Sequence, residues 1–285
     1  MTTPASTPAL APLRPAATVI VLRPAEPEPF EVLLVRRSDQ VAFMAGAHVF
    51  PGGRVDASDL PEPAAACDGL ATLGRCVDLA PHEEARYRVA AIRELLEEAG
   101  VLLARGPHGM ADASTAAAVR ASLPPSSSFV AHLAAQGLRV ALDAVMPFAH
   151  WVTPEIEIRR FDTRFLLARL PEGQTASHDA GETTALDWLT PHQALARCAN
   201  GEIKLPPPTY TTLTRLARFA SIDDAWQWAS CTPILRVQPV FARHESTTAV
   251  MLPGDPSYPL PPGCEPLDVT RFELVEGGGW RPVRG

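Results

Sequence analysis

The chain has 285 residues, of which 46% are hydrophobic, so it can bury a substantial core and is not globally disordered. Its formal net charge of -7 argues against a protein that binds a nucleic-acid backbone. The five cysteines form no CxxC pair, and no run of about 18 apolar residues or signal peptide is visible. We therefore expect a reduced, cytoplasmic protein without a disulfide framework, a zinc site or a membrane span.

The first part of the chain predicts a flexible tail followed by two buried strands. The tail is 1–15, which is rich in Pro, Ala and Thr. The strands are 16–22 (AATVIVL) and 30–36 (FEVLLVR), and a proline-rich loop joins them into a hairpin. A further loop leads to a short strand at 48–50. Pro51-Gly52-Gly53 then predicts a sharp turn at which no side chain covers the backbone.

Residues 54–81 lack a clear periodicity and are interpreted as an insertion, because loops of this length usually carry a helix or a function of their own. An amphipathic helix is predicted from about His82 to Ala99, ended by a glycine. Within it, Glu94, Glu97 and Glu98 fall in an arc of about 100°, opposite the apolar side chains. Clustered carboxylates suit a hard divalent cation, although a merely solvated acidic face is the alternative.

The rest of the chain alternates between predicted helices and strands. Helices are predicted at 115–122, 126–136, 191–200, 208–220 and 222–229, and strands at 149–154, 160–170, 185–189, 234–240, 249–252 and 271–275. Glu182 directly precedes one of these strands, and loops at sheet ends often line sites. Glu182 is therefore a candidate base, with Asp179 as the less favoured choice and a solvated turn as the alternative.

The run Arg93-Glu94-Leu95-Leu96-Glu97-Glu98-Ala99-Gly100-Val101 resembles the second half of the Nudix box. The whole box is a glycine, five residues, a glutamate, seven residues, and then Arg-Glu-apolar-x-Glu-Glu-x-Gly-apolar. The first half departs from this pattern, because the glutamate position is Ala85, with Glu83 and Glu84 just before it. The glycine turn lies upstream of the insertion. We interpret the motif as a split box, in which the residue that supplies the first acid stays open.

A second stretch resembles the signature of the coenzyme A diphosphatases within the Nudix family, and its part at 43–53 (FMAGAHVFPGG) is closest to the branch called Nudix motif 19. It comprises Leu33-Leu34-Val35-Arg36-Arg37-Ser38, then Gly46, then Phe50-Pro51-Gly52-Gly53. That signature has an arginine where this chain has Ala42. Two alternatives therefore stay open: a Nudix enzyme for another nucleotide or sugar diphosphate, and a non-catalytic ligand-binding module.

The resemblance implies an α/β/α sandwich around a mixed, curled sheet at 16–230, followed by a C-terminal extension at 231–285. It implies Mg²⁺- or Mn²⁺-dependent hydrolysis of a nucleoside-diphosphate derivative, coenzyme A or acyl-coenzyme A. The implied residues are Glu94, Glu97, Glu98 and Gly53 for the metal, Arg93, Glu94 and Glu182 for catalysis, and Arg36, Arg37 and Gly52 for the substrate. A second copy of the chain is a candidate partner, whereas nucleic acid and membrane are not expected.

Overall fold

A computed structural model describes residues 10–38, 44–125, 127–177, 183–244, 247–275 and 279–283. Its helices are α1 (Pro81–Ala99), α2 (Ala113–Ser122), α3 (Phe129–Ala135), α4 (Pro191–Ala199), α5 (Pro207–Leu216) and α6 (Ile222–Cys231). Its strands are β1 (Leu13–Pro24), β2 (Phe30–Arg37), β3 (His48–Val49), β4 (Gly52–Arg54), β5 (Cys67–Asp68), β6 (Ala104–Gly106), β7 (Gly109–Met110), β8 (Arg139–Ala141), β9 (Val145–Val152), β10 (Arg160–Arg169), β11 (Thr183–Leu189), β12 (Arg236–Val237), β13 (Val240–His244), β14 (Thr247–Met251), β15 (Arg271–Val275) and β16 (Gly279–Val283). Among the helices in these ranges, none combines the length and apolarity that crossing a membrane requires.

The largest sheet has the order β11-β2-β1-β10-β9-β12, with β3 attached to β2 and β4 attached to β1. It is mixed: β1 runs parallel to β10 and β9 parallel to β12, whereas β2 runs antiparallel to β1 and β11, and β9 runs antiparallel to β10. Successive side chains of a strand point to opposite faces. Val21 and Leu33 accordingly join one core with α1, while Leu22 and Leu34 join a second core with α4, α5 and α6. The predicted α/β/α layering is confirmed.

The C-terminal strands β13 to β16 form a separate antiparallel sheet that shares the second core. Phe272 of β15 is fully buried, and its ring meets Tyr210 of α5 edge to face with 5.5 Å between centroids. Glu265, in the connection before β15, accepts a hydrogen bond from the indole nitrogen of Trp228 (2.9 Å). The predicted extension is thus packed against the helices that precede it.

The predicted insertion is held against α1 by hydrogen bonds to Glu84 and Arg88, two residues of the helix that form a buried ion pair with each other. Arg88 is fully buried and also donates to the carbonyl oxygens of Leu142 (2.8 Å) and Thr72 (3.1 Å). Glu84 accepts a hydrogen bond from the N–H of Gly74 (2.8 Å). Buried charges need such partners, because leaving water is costly for each of them. The insertion is therefore part of the folded core.

Three sequence predictions need correction. The tail at 1–15 is too long, because β1 begins at Leu13 and already pairs there with β10. Gly52–Arg54 is a short strand beside β1 and not only a turn. The run at 234–240 does not form one strand: β12 and β13 belong to different sheets, and Pro239, which lacks an N–H, stands between them.

Candidate active site

Helix α1 has the two contrasting faces that the sequence indicates. Val89 and Leu96 are fully buried in the core. Gly100 ends the helix in the left-handed conformation (φ 66°), and its N–H donates to the carbonyl oxygen of Leu96 (3.0 Å). The three predicted glutamates lie in the last two turns, on the face that is crossed by the chain segment 52–59.

Segment 52–59 is hydrogen-bonded directly to the acidic face. The N–H of Gly52 donates to Oε2 of Glu98 (2.8 Å), and Nη2 of Arg93 donates to the carbonyl oxygen of Arg54 (3.0 Å). Strand β4 is thereby held between β1 and α1.

Two glycines are required at this point because neighbouring atoms leave no room for a side chain. A Cβ on Gly53 would lie 2.4 Å from Oε1 of Glu94. A Cβ on Gly52, whose φ is 156°, would lie 2.3 Å from the carbonyl oxygen of Ala17. The glycine turn therefore lets the backbone approach the carboxylate of Glu94 directly.

Arg93 connects the acidic face to Asp59. Its Nε and Nη2 donate to the two carboxylate oxygens of Asp59 (2.8 and 2.9 Å), and Nη1 donates to Glu97 (2.8 Å) and Glu94 (3.0 Å). Asp59 is fully buried. Burial acts to lower the pKa of Arg93, but the hydrogen bonds to Asp59 and the nearby negative charges outweigh it and raise the pKa. Arg93 is therefore a permanent cation that fixes two of the three glutamates.

Glu94 changes its protonation close to neutral pH. Burial raises its pKa from 4.5 to about 7, and the negative charges of Glu97 and Glu98 add to this shift, while Arg93 opposes it. Burial also raises the pKa of Glu97. A carboxyl group with a pKa near 7 can act as an acid or a base at physiological pH.

The acidic face has the donor chemistry of a site for a hard divalent cation, which takes carboxylate and carbonyl oxygens. Negative charge is crowded there, since Glu97 and Glu98 both add to the rise in the pKa of Glu94 that burial causes, and the backbone of Gly53 lies alongside. In the part of the chain that the structure describes, no three aspartate, glutamate, histidine or cysteine side chains are already arranged closely enough to coordinate one metal ion. Glu97 is engaged by Arg93, and Glu98 by Gly52. Both would exchange these hydrogen bonds for a metal.

The two predicted substrate arginines lie on opposite faces of the sheet. Arg37 follows the alternation of Leu33, so it faces the α1 side; its Nε is buried and has no hydrogen-bond partner among the described residues. Arg36 faces the α4 side with its register partner His48, whose Nε2 lies 3.2 Å from Asp187. The prediction that both arginines share one site is therefore not supported by the geometry.

The predicted distant base cannot be placed, because Glu182 and Asp179 lie outside the described residues. The segment that leads to them is placed. The N–H of Ser177 donates to the carbonyl oxygen of Ala99 at the end of α1 (2.8 Å). The segment thus starts next to the acidic face, and the role of Glu182 stays a prediction.

Comparison with known proteins relates the chain to one family. The sequence profile of the NUDT19 Nudix domain matches residues 62–216, more than half of the chain. The chain belongs to the Nudix hydrolase family. It is 30% identical to the acyl-coenzyme A diphosphatase NUDT19 of Homo sapiens, over 86% of this chain and 76% of that protein, and 30% identical to that of Gallus gallus, over 89% and 80%. The crystal structure of a NUDIX hydrolase from Alicyclobacillus acidocaldarius matches with a TM-score of 0.64 and 31% identity, covering 77% of this chain and 97% of that one.

The missing acid of the Nudix box is explained by Asp59. It lies six positions after Gly53, the spacing between the glycine and the acid in the box, and it binds the box arginine. Counting back from Arg93 through the seven residues of the box places the acid at position 85, but Ala85 is a fully buried alanine. The adjacent Glu84 is already paired with Arg88. The insertion therefore follows Asp59. The spacing from Gly53 was the signal that could have identified it, with Asp in place of Glu.

Proposed function

We propose that this Nudix hydrolase cleaves the diphosphate linkage of coenzyme A or an acyl derivative, giving 3′,5′-ADP and 4′-phosphopantetheine or its acyl form. The oxygen of water bonds to one phosphorus, the bridging P–O bond breaks, and the bridging oxygen leaves on the other phosphate. The observation that carries the proposal is the cationic Arg93, held between Asp59 and Glu94–Glu97 beside the glycine turn. Phosphoryl transfer depends on such positioning and charge stabilisation.

The proposed cofactor is Mg²⁺ or Mn²⁺, held by Glu94, Glu97, Glu98 and the carbonyl oxygen of Gly53. When bound, the cation would neutralise diphosphate charge and lower the pKa of the attacking water. The chain's own contribution is orientation. Arg93 fixes the side chains of Glu94 and Glu97, and the close approach of Gly53 keeps Glu94 shielded from water.

Two glutamates are proposed as alternatives for the general base. Glu94 has a pKa raised to about 7, which suits proton transfer at neutral pH. Glu182 is the other, because its segment starts at the end of α1. Because Glu94 is also a proposed metal ligand, the deciding variant is Glu182→Gln, titrated with Mn²⁺ and assayed for turnover. If it binds Mn²⁺ normally but does not turn over, Glu182 is the base. If it turns over normally, the role of base falls to Glu94.

Coenzyme A is favoured as the substrate by sequence similarity. Both relatives named acyl-coenzyme A diphosphatase align with most of this chain. We propose that Arg37, whose buried Nε faces the α1 side, and the backbone of Gly52 contact the phosphates. Arg36 faces the α4 side of the sheet, so we do not include it among the residues that contact the phosphates.

The direct test is product analysis by mass spectrometry after incubation with coenzyme A, with and without Mg²⁺. We expect 3′,5′-ADP and 4′-phosphopantetheine only when the metal is present. Glu98→Gln should reduce kcat at least about a hundredfold, because Glu98 is one of the three glutamates of the box that would hold the metal. Glu83→Gln is the matched control, since Glu83 is exposed on the first turn of the same helix. Full activity of Glu98→Gln would refute the metal assignment.

A second candidate is a Nudix enzyme for another nucleotide or sugar diphosphate. The observation that favours it is Ala42, where the coenzyme A signature has an arginine. A substrate panel with ADP-ribose, NADH and a diadenosine polyphosphate distinguishes the two. Cleavage of one of these compounds, with coenzyme A left intact, would replace the first proposal with the second.

A further inference from the structure

The end of α1 is held by an arginine from outside the Nudix box. Arg120, in α2, donates from Nη2 to the carbonyl oxygen of Glu97 and from Nη1 to the carbonyl oxygen of Ser177 (3.0 Å). Ser177 in turn donates its N–H to the carbonyl oxygen of Ala99 (2.8 Å). The last carbonyls of a helix have no partner inside the helix, so these contacts cap α1 from two other parts of the fold.

The three segments meet without spare space. A Cβ on Gly100 would lie 2.6 Å from Oγ of Ser177 and 3.1 Å from Nη1 of Arg120. Gly100 therefore serves two purposes, because its left-handed conformation ends the helix and its missing side chain admits both neighbours. Small displacements of Arg120 would be transmitted directly to the last turn of α1.

We propose that Arg120 is a positioning residue for the metal site, acting through Glu97 and Glu98. The acceptor on α1 is the carbonyl of Glu97 itself, so Arg120 fixes the backbone from which that carboxylate projects. The side chains of Glu97 and Glu98 are then presented to Arg93 and Gly52, respectively. The inference rests on the proposed metal site but not on the identity of the substrate.

The direction in which Arg120→Gln changes the affinity for Mn²⁺ separates a positioning role from simple charge repulsion. Arg120 is a cation near a site for a cation, so its charge alone repels the metal. If charge were its only influence, Arg120→Gln would strengthen Mn²⁺ binding. If Arg120 positions the carboxylates, the same change weakens Mn²⁺ binding, because the last turn loses its cap. A purely structural role would lower the melting temperature and leave the affinity of the folded protein unchanged.

The experiment is titration of the full chain with Mn²⁺, following free Mn²⁺ by electron paramagnetic resonance well below the melting temperature. We expect Arg120→Gln to bind Mn²⁺ about tenfold more weakly, the loss typical of residues that orient metal ligands. Arg139→Gln is the matched control, since Arg139 of β8 makes its ion pair with Asp68 of β5, in the separate sheet formed by β5, β6, β7 and β8. Arg120→Lys keeps the charge but replaces the two fixed nitrogens of the guanidinium with a single one, so it should show a partial loss even if the glutamine variant does not fold.

Unchanged or tighter Mn²⁺ binding by both Arg120 variants would overturn the inference. A loss of equal size in Arg139→Gln would also overturn it, because the effect would then not be specific to the end of α1. If the unaltered protein binds no Mn²⁺, the proposed metal site itself fails. If Mn²⁺ binds but coenzyme A is not cleaved, only the substrate assignment fails.

Discussion

At the scale of single residues, Arg93 is the junction of the candidate site. It contacts Asp59 before the insertion, Glu94 and Glu97 on α1, and the backbone of Arg54. A guanidinium group can serve several carboxylates at once because its donors are fixed in one plane. The geometry of the acidic face thus depends on a residue, Asp59, that is distant in sequence.

Asp59→Ala should disturb stability and turnover together. The buried guanidinium of Arg93 would lose its bidentate partner, and breaking a buried ion pair typically costs about 3–5 kcal/mol. We expect a loss of this order in urea denaturation and at least a tenfold lower kcat for coenzyme A. Asp59→Glu should retain most of both. Asp56→Asn is the control, because Asp56 is half exposed and lies 4.0 Å from Arg93. Equal effects of the Asp56 and Asp59 changes would contradict the assignment.

Glu94 should make the metal-free protein less stable as the pH rises. Its pKa is about 7 in the folded protein against 4.5 for an ordinary glutamate, because it is buried. Between these values the unfolded chain loses a proton that the folded chain keeps, so unfolding becomes easier. The expected loss is on the order of 3 kcal/mol between about pH 4.5 and pH 7.

Glu94→Gln should flatten this decline, measured by urea denaturation in EDTA at several pH values. Asp78 and Asp143, whose pKa values are lowered mainly by hydrogen bonds to arginines, act in the opposite direction. They are unchanged in the variant, so the difference between the two profiles reports Glu94 together with its effect on the neighbouring Glu97. Parallel profiles would show that Glu94 does not titrate in this range.

At the scale of elements, helix α1 was predictable and its surroundings were not. Its apolar stripe and its terminal glycine are visible in the sequence, and they predict where the helix ends and which of its faces is buried. Strands such as β5, β6 and β7 span only two or three residues, too few for a period to emerge. The ion pair of Arg93 with Asp59 spans 34 positions, and neither helical nor strand periodicity connects residues so far apart.

Arg88→Met should destabilise the protein without altering the chemistry of folded molecules. Arg88 is fully buried and joins α1 to the insertion and to the segment before β9. Its removal leaves the carboxylate of Glu84 buried without its cation, a loss of about 3–5 kcal/mol. Thermal and urea unfolding should show this loss, while KM stays unchanged below the melting temperature. Arg88→Met combined with Glu84→Gln should recover part of the stability. A changed KM would indicate that the insertion also reaches the substrate.

At the scale of the whole molecule, the C-terminal sheet and the large sheet share one core. Phe272 is fully buried beside Tyr210, and Leu252 is fully buried in the same cluster. The predicted boundary at residue 230 falls within α6 and does not separate two cores. Sequence patterns identified β14 and β15 as strands, but they could not show which helices these strands cover.

Phe272→Ala should lower the stability of the entire chain and not only of its C-terminal part. Removing a buried phenylalanine side chain typically costs about 3–5 kcal/mol. Since the core is shared, tryptophan fluorescence and loss of diphosphatase activity should report a single transition, shifted together. Leu274→Ala, at an exposed position of the same strand, is the control. Two separated transitions would show that the C-terminal sheet unfolds independently.

The glycine turn at 52–53 and α1 are held together by direct hydrogen bonds, so their contact does not depend on the chain that runs between them. Gly52 and Arg54 bind residues of α1, and Nη2 of Arg86 donates to the carbonyl oxygen of Asp56 (3.1 Å). Lengthening a flexible connection twofold costs only about 0.6 kcal/mol, so extra residues beside the exposed Val77 should be tolerated, whereas the buried parts of the insertion are fixed. A single backbone cut beside the exposed Val77 would leave two fragments that still meet at the same hydrogen bonds. The two halves of the box could therefore be supplied by separate polypeptides.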